Sequence, residues 1–301
     1  MYDNQGWLNI YKPTNTSSFE VLKKIKKKFN LDKIGHAGTL DPLAEGILPI
    51  AIGKTTKLIS FIYNSKKEYE FEIKWGEQTS TDDREGKIIK KTNHIPDLNE
   101  INLKLKDFNG KTFQQPPRAS AVKINGVRAY KLLRNDVEFE TIKKEVFLFK
   151  SQVLEINHNI AKLKIECGKG FYVRSFARDL ALKLGTTGHI FSLKRTKVGK
   201  FLLNNSILLD DLLKISQRQF GFREIHPSIT MLDDILAYEV DDENLINEIS
   251  QGKIVKIKTN NFAKKSLNSN ESLKIFLTYK NSVLSFGKLD GNLFKPKKVL
   301  I

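Results

Sequence analysis

Residues 46–53, Gly-Ile-Leu-Pro-Ile-Ala-Ile-Gly, form a nearly unbroken apolar run. A run this short and this apolar predicts a buried strand, because it has no polar face to turn toward water. The segment before it has the opposite character. Gly35-His36-Ala37-Gly38-Thr39-Leu40-Asp41-Pro42 gathers two glycines, a proline, a histidine and one carboxylate into a single turn-rich loop. Glycine reaches backbone angles that other residues avoid, and proline restricts the residue before it, here Asp41. A loop held this way can present one side chain in a fixed pose, and such loops often carry function. On spacing alone, a plain turn ahead of a strand is an equally good reading.

The chain has 301 residues, enough for one large domain and a small one. Its 40% hydrophobic content supports a real core and excludes global disorder. With 51 basic against 34 acidic residues the formal net charge is +17. So basic a chain is expected to meet a polyanion, RNA or DNA first, because neutralising phosphates supplies affinity. A codon bias toward lysine would raise the same number. The single cysteine, Cys167, excludes an intramolecular disulfide and a Cys-rich zinc site. No stretch approaches about 18 uninterrupted apolar residues, so no membrane span is expected. MYDNQGWLNIYKP lacks the pattern of a signal peptide, and the cytoplasm is the expected compartment.

In chain order, WLNIY at 7–11 reads as a strand ended by Lys12-Pro13. Ser17 and Glu20 have capping-box spacing, and Phe19, Leu22, Ile25 and Phe29 recur at helical spacing. Lysines 23, 24, 26, 27 and 28 then form a solvated face. Thr55–Tyr63 is a short helix or a continuing strand. In KKEYEFEIKWG, Tyr69, Phe71, Ile73 and Trp75 alternate with Glu68, Glu70, Glu72 and Lys74, the mark of a half-buried strand. A helix is expected after Pro96-Asp97, closed by Gly110. Pro116 and Pro117 exclude a central strand there, and Lys123, Arg128, Lys131 and Arg134 interleave with Tyr130. VFLFKSQVLEI and AKLKIECG predict a hairpin turning at His158-Asn159. Beyond Gly168 and Gly170, a helix carries Val173, Phe176, Leu180 and Leu184 on one face, with Gly185 as its cap. Arg174 lies near the start of that helix, where a cation opposes the dipole. A specific anionic partner would explain it, and so would a surface position or a structural ion pair. From about Asp233 the chain turns acidic, then becomes short strands with Asn-Ser and Asp-Gly turns, a small β-barrel pattern.

Other motifs fail. Gly53-Lys54-Thr55 lacks the glycine that a phosphate loop needs at position 48, which is leucine. No metal-ligand spacing joins the five histidines, so no metal is expected. No GxSxG elbow exists for a serine nucleophile. A paired-carboxylate glycosidase stays open on spacing.

GHAGTLDPLAEGILPIAIGKTTKL closely resembles the signature of the TruB-type tRNA pseudouridine synthases. Their chemistry also breaks a glycosidic bond. The resemblance extends over about two-thirds of the chain. QQPPRASAVKINGVRAYKLLR resembles the family's QxPPxxSAxKxxGxRAYxLxR stretch, and Gly170, Tyr172, Arg174 and Ser175 match its GxYxRS/T segment. The resemblance implies an α+β fold: a mixed, largely antiparallel central sheet flanked by helices, with a small C-terminal PUA-type module. The implied domains are 1–235, with a tRNA-contacting insertion at about 112–140, and 236–301. It implies Asp41 as nucleophile and Arg174 as its partner. By the same resemblance, Tyr69 stacks on the target base; its phenol is a candidate, on chemical grounds, for assisting proton removal. Leu193 packs near the uracil by the resemblance. On chemical grounds Tyr172 would hold the extruded base and His36 would fill the gap left in the RNA loop, a core or turn-capping histidine being the alternative for His36. Lys12 is implied among the substrate-binding residues, in a supporting role. The implied reaction isomerises uridine-55 in the T-loop of tRNA. It needs no cofactor, no guide RNA and no protein partner, in a monomer. A non-catalytic tRNA-binding or folding chaperone on the same scaffold is the alternative.

Overall fold

The computed structural model describes residues 5–62, 64–221, 223–232, 235–258, 273–280 and 282–301. Among these the large sheet has ten strands. Its main path runs Ile207–Leu208, Gly6–Lys12, Glu45–Ile52, Gly188–Val198, Lys67–Trp75, Ile160–Cys167, Lys144–Asn157, Gly110–Gln114. Two short strands, Ile34–His36 and Phe201–Leu202, pair off that path. Two pairings are parallel, Gly6–Lys12 with Ile207–Leu208 and Glu45–Ile52 with Gly188–Val198; the others are antiparallel. The mixed, largely antiparallel expectation holds.

The apolar run becomes Glu45–Ile52, enclosed between two neighbours, with Ile47 to Ile52 essentially inaccessible among its hydrophobic residues. Its register sets Arg195 opposite Gly46. Gly46 has φ +105°, and a Cβ there would lie 2.2 Å from the Arg195 carbonyl oxygen, so only glycine lets the two strands meet. Lys67–Trp75 alternates as read: Tyr69, Phe71, Ile73 and Trp75 are buried and join the core beneath helix Val173–Lys183.

Helix Ser18–Phe29 carries the expected Ser17–Glu20 capping box. Its buried face, however, is Ser18, Val21, Ile25 and Phe29, while Phe19 is 72% exposed. The Ser18 hydroxyl donates to the Leu40 carbonyl and accepts from the Leu40 amide, both at 2.9 Å. That pair of bonds pins the first turn to the aspartate loop and rotates Phe19 outward. Thr55–Ile62 is helical, a 3₁₀ turn Gly53–Leu58 running into Ile59–Ile62; Tyr63 lies outside the described residues. Asp97 caps Leu98–Leu105. The strand Gly110–Gln114 stops before the two prolines. A small hairpin, Lys123–Ile124 with Val127–Arg128, and helix Ala129–Arg134 follow. The long hairpin turns at His158, as read, with φ 49°.

Toward the C-terminus, Ala237–Glu239, Leu273–Tyr279, Ser282–Asp290, Leu293–Val299 and Val255–Lys256 form a five-stranded sheet beside helix Glu243–Ser250. Its end strands do not pair with each other among the described residues, so the small barrel is half-closed. The expected Asp290-Gly291 turn is present; Asn281 of the Asn-Ser turn lies outside the described residues. Phe276, Val283, Phe286 and Leu300 share one core with Trp7, Ala37, Ile47, Leu58 and Phe201. The composition shift near Asp233 therefore marks no gap in packing. No helix among the described residues is long and apolar enough to cross a membrane.

Candidate active site

A cleft of about 580 Å³ opens where the aspartate loop meets the start of helix Val173–Lys183. His36, Asp41, Tyr69, Tyr172, Arg174 and Leu193 all line it, drawn together from four separate stretches of chain.

The loop is held from behind. The Arg195 guanidinium, 1% exposed, donates through Nε to the Ile47 carbonyl at 2.7 Å and through Nη2 to Gly38 at 3.0 Å, with Thr39 at 3.5 Å from Nη1. Lys12 is fully buried, and its ammonium donates to the carbonyls of Pro13 at 2.8 Å, Thr16 at 2.7 Å and Pro42 at 3.3 Å. Lys12 does not line the cleft. Its place is the supporting one implied by the resemblance and not in the cleft lining: it braces the loop, because carbonyls of the Lys-Pro turn and of the aspartate loop converge on one cation. Burial lowers its pKa to about 8, with nearby Asp41 opposing that shift.

Asp41 keeps 38% of its side chain exposed, and its Oδ2 lies 2.8 Å from Arg174 Nη2. Arg174 is itself buried. Its Nη1 lies 3.2 Å from Asp83 Oδ2 and 3.1 Å from the Thr81 carbonyl, and its Nη2 donates to the Ala119 carbonyl at 3.0 Å. A guanidinium in the first turn of a helix is disfavoured by the dipole, and two carboxylates offset that cost. Asp83 is fixed in turn, its Oδ1 accepting from the Thr81 hydroxyl at 2.5 Å and the Glu85 amide at 3.1 Å. One turn on, Arg178 pairs with Asp82 at 2.9 Å and donates to the Gln115 carbonyl, which also accepts from Ser175. The proline-rich segment is thereby stitched to the helix that carries Arg174.

Tyr69 is buried on the cleft floor. Burial raises its phenol pKa, with Arg195 beside it partly offsetting, so the hydroxyl stays protonated at neutral pH. His36 is half-buried, and its pKa is lowered by burial and then by Arg195, leaving the ring neutral; its buried Nδ1 has no hydrogen-bond partner among the described residues. Tyr172 is positioned by Gln114, whose side chain bonds both its amide, at 3.0 Å, and its carbonyl, at 3.3 Å. Lys67 also lines the cleft, donates to the Ser65 carbonyl at 2.8 Å, and is lowered to about 8 by burial and then by Arg195. Among the described residues no three His, Cys, Asp or Glu side chains converge as metal ligands would.

Sequence reasoning missed Asp83, Lys67 and Arg195. Arg195 left a signal, because it stands two residues from Leu193 on the same strand face, a charge among apolar positions. Asp83 is one of four acids in the polar stretch 77–86, EQTSTDDREG, which singles out none of them, and only the fold brings it to Arg174.

A family model described as TruB family pseudouridylate synthase (N terminal domain) matches residues 26–173, and one described as tRNA pseudouridylate synthase B C-terminal domain matches 174–237. A tRNA pseudouridine synthase B of Ehrlichia ruminantium is 44% identical over 250 residues, 82% of this chain and 84% of its own length. One from Borreliella burgdorferi is 42% identical over 270 residues, 88% of this chain and 92% of its own. A solved structure titled as a Cbf5-Nop10-Gar1 complex superposes with TM-score 0.72 at 23% identity, covering 98% of this chain and 85% of that one, a likeness of fold. The class is that of the pseudouridine synthases. Within it, the chain belongs to the TruB family of pseudouridylate synthases.

Proposed function

We propose that this protein converts uridine-55 in the T-loop of tRNA to pseudouridine, with Asp41 as nucleophile. The carrying observation is the 2.8 Å pairing of a half-exposed Asp41 with a buried Arg174 at the bottom of a cleft large enough for a nucleotide. In the reaction the N1–C1′ bond breaks, C5 bonds to C1′, the C5 proton leaves and N1 gains one. The product is an isomer, so the overall balance requires no redox partner or energy donor. A carboxylate that attacks and later departs suits this, at C1′ or at C6 of the ring. Arg174 pairs with Asp41 and orients its carboxylate toward the cleft, and Asp83 holds Arg174 in place.

The target uridine leaves the RNA stack to enter the cleft, at a cost of a few kcal/mol. Tyr69 and Tyr172 flank the extruded base, Leu193 packs beneath it and His36 occupies the space it leaves. Tyr69 enters as a neutral phenol, which suits stacking and hydrogen bonding; proton removal from the sugar or C5 would need that proton first displaced. The domains divide at about residue 235, the 112–140 insertion leans on the T-arm, and the C-terminal sheet adds RNA contact. The protein works as a cytoplasmic monomer without guide RNA or partner protein.

The test is an unmodified tRNA transcript labelled with tritium at uridine C5, mixed with protein alone. Tritium release lost on changing the uridine at position 55 supports the reading. Tight binding without release identifies a folding chaperone instead. Residual turnover in Asp41→Asn within tenfold of the parent removes the nucleophile assignment.

A further inference from the structure

Beside the cleft, the sheet ends in a face that is apolar where it should be polar. On strand Lys144–Asn157, Val146 and Leu148 are buried, while Phe147 and Phe149 point outward, each 37% exposed. Phe113 on the edge strand Gly110–Gln114 is 65% exposed. It stands opposite Glu145, so it shares the outward face with Phe147. The Phe147 and Phe149 rings lie 4.5 Å apart, tilted by 41°. The Lys66 ammonium sits 4.1 Å from the centre of the Phe149 ring.

This face runs into the cleft. Gly168 lines the cleft and donates its amide to the Phe147 carbonyl at 2.9 Å. It lies within ordinary contact of both residues: a Cβ built there would stand 3.6 Å from Phe147 and 3.7 Å from the Phe149 ring. Lys144, at the start of the same strand, lines the cleft as well. Gln114, next to Phe113, is the residue that holds Tyr172. The surroundings are cationic: Lys66, Lys111, Lys144 and Lys150 against Glu145 and Glu166, which pair with Lys111 and Lys66. A protein anchor or a second copy of this chain would leave that surplus of lysines unexplained. RNA uses both halves, since its phosphates meet ammonium groups while unpaired bases stack on aromatic rings.

We infer that Phe147, Phe149 and Phe113 form a stacking platform for an unpaired nucleotide of the same RNA loop, next to the one that enters the cleft. The inference rests on the proposed tRNA reading and extends it to a second base. Stacking on an aromatic ring tolerates any base, so the platform adds affinity and sets the path of the strand without reading sequence.

The experiment uses the full chain and a T-arm stem–loop in which each loop nucleotide beside the target is replaced, one at a time, by an abasic residue. At one position the parent protein is expected to bind about tenfold more weakly. A Phe147→Leu/Phe149→Leu variant, which keeps the apolar volume and loses the rings, should bind the intact RNA about tenfold more weakly. It should then be indifferent to that abasic site. Parental affinity in the leucine variant overturns the platform. So does an equal loss on intact and abasic RNA, or a concentration-dependent dimer of the parent that the leucine variant dissolves. Tritium release by the parent on the intact stem–loop is followed in parallel. If release fails while the ring-dependent coupling persists, the modification reading falls and the platform stands; if release proceeds without coupling, the reverse holds.

Discussion

Arg174 and Arg195 both line the cleft and both are buried, yet they are bonded to different things. Arg174 meets two carboxylates, Asp41 and Asp83. Both also donate to backbone carbonyls, Arg174 to those of Thr81 and Ala119, but Arg195 meets carbonyls without a carboxylate among the described residues, those of Gly38, Thr39 and Ile47. Carboxylates balance a guanidinium's charge, whereas neutral carbonyls satisfy its protons and leave the charge standing. Arg174 is thus a local partner. Arg195 shapes the loop and also sends a positive field into its surroundings, felt at Lys67, His36 and Tyr69.

The comparison can be broken by experiment. Asp41→Asn removes the charge that Arg174 serves; turnover is expected to fall by at least about 10⁴-fold, with tRNA affinity nearly unchanged in a filter-binding assay. Arg174→Lys loses the planar fork that reaches two acids. A fall in kcat of about 10²–10³-fold is expected in single-turnover assays, again with little change in binding. Arg195→Lys leaves buried carbonyls unsatisfied. It should cost stability first, on the order of 2 kcal/mol in urea titration. If the two lysine variants lose rate and stability in the same proportion, the distinction between the arginines is wrong.

Much of this site was legible because its signals are local. The Gly-Pro turn and the two-residue alternation of 69, 71, 73 and 75 give the loop and the strand without any tertiary knowledge, while Asp41 and Tyr69 were named within them by the resemblance. Arg174 declared itself as a cation in the wrong turn of a helix, although spacing did not name its partner. The failures are tertiary. Phe19 fits the helical stripe as well as Ser18 does, and only the two bonds between Ser18 and Leu40 decide the rotation. Lys12 reads as a loop cation until three carbonyls converge on it. Asp83 is one acid among several in a polar turn.

Smaller effects sharpen the same contrast. Lys12 and Lys67 both titrate near 8 in the folded chain, below the ordinary lysine value of 10.5. The unfolded chain therefore holds more protons between about pH 8 and 10.5, so stability rises with pH across that window. Below 8 the full cost of burying both charges applies, and it fades as pH climbs toward 10.5. Lys12→Met and Lys67→Met should each flatten that rise in chemical-denaturation curves. The smallest expected effect is on His36. Removing the field with Arg195→Gln should move its imidazole titration upward by NMR, while Arg174→Gln should leave it where it was.

The core that joins Trp7 and Leu58 to Phe276 and Phe286 also limits how this chain can be divided. Cutting at residue 235 would strip cover from the opening strand, and the Trp7 indole, which donates to the Ser228 carbonyl at 3.0 Å, would stand near the raw surface. The C-terminal sheet is therefore no detachable cassette. Swapping it for a relative's would require matching replacements along the first strand, so the two ends of the polypeptide are bound to change together.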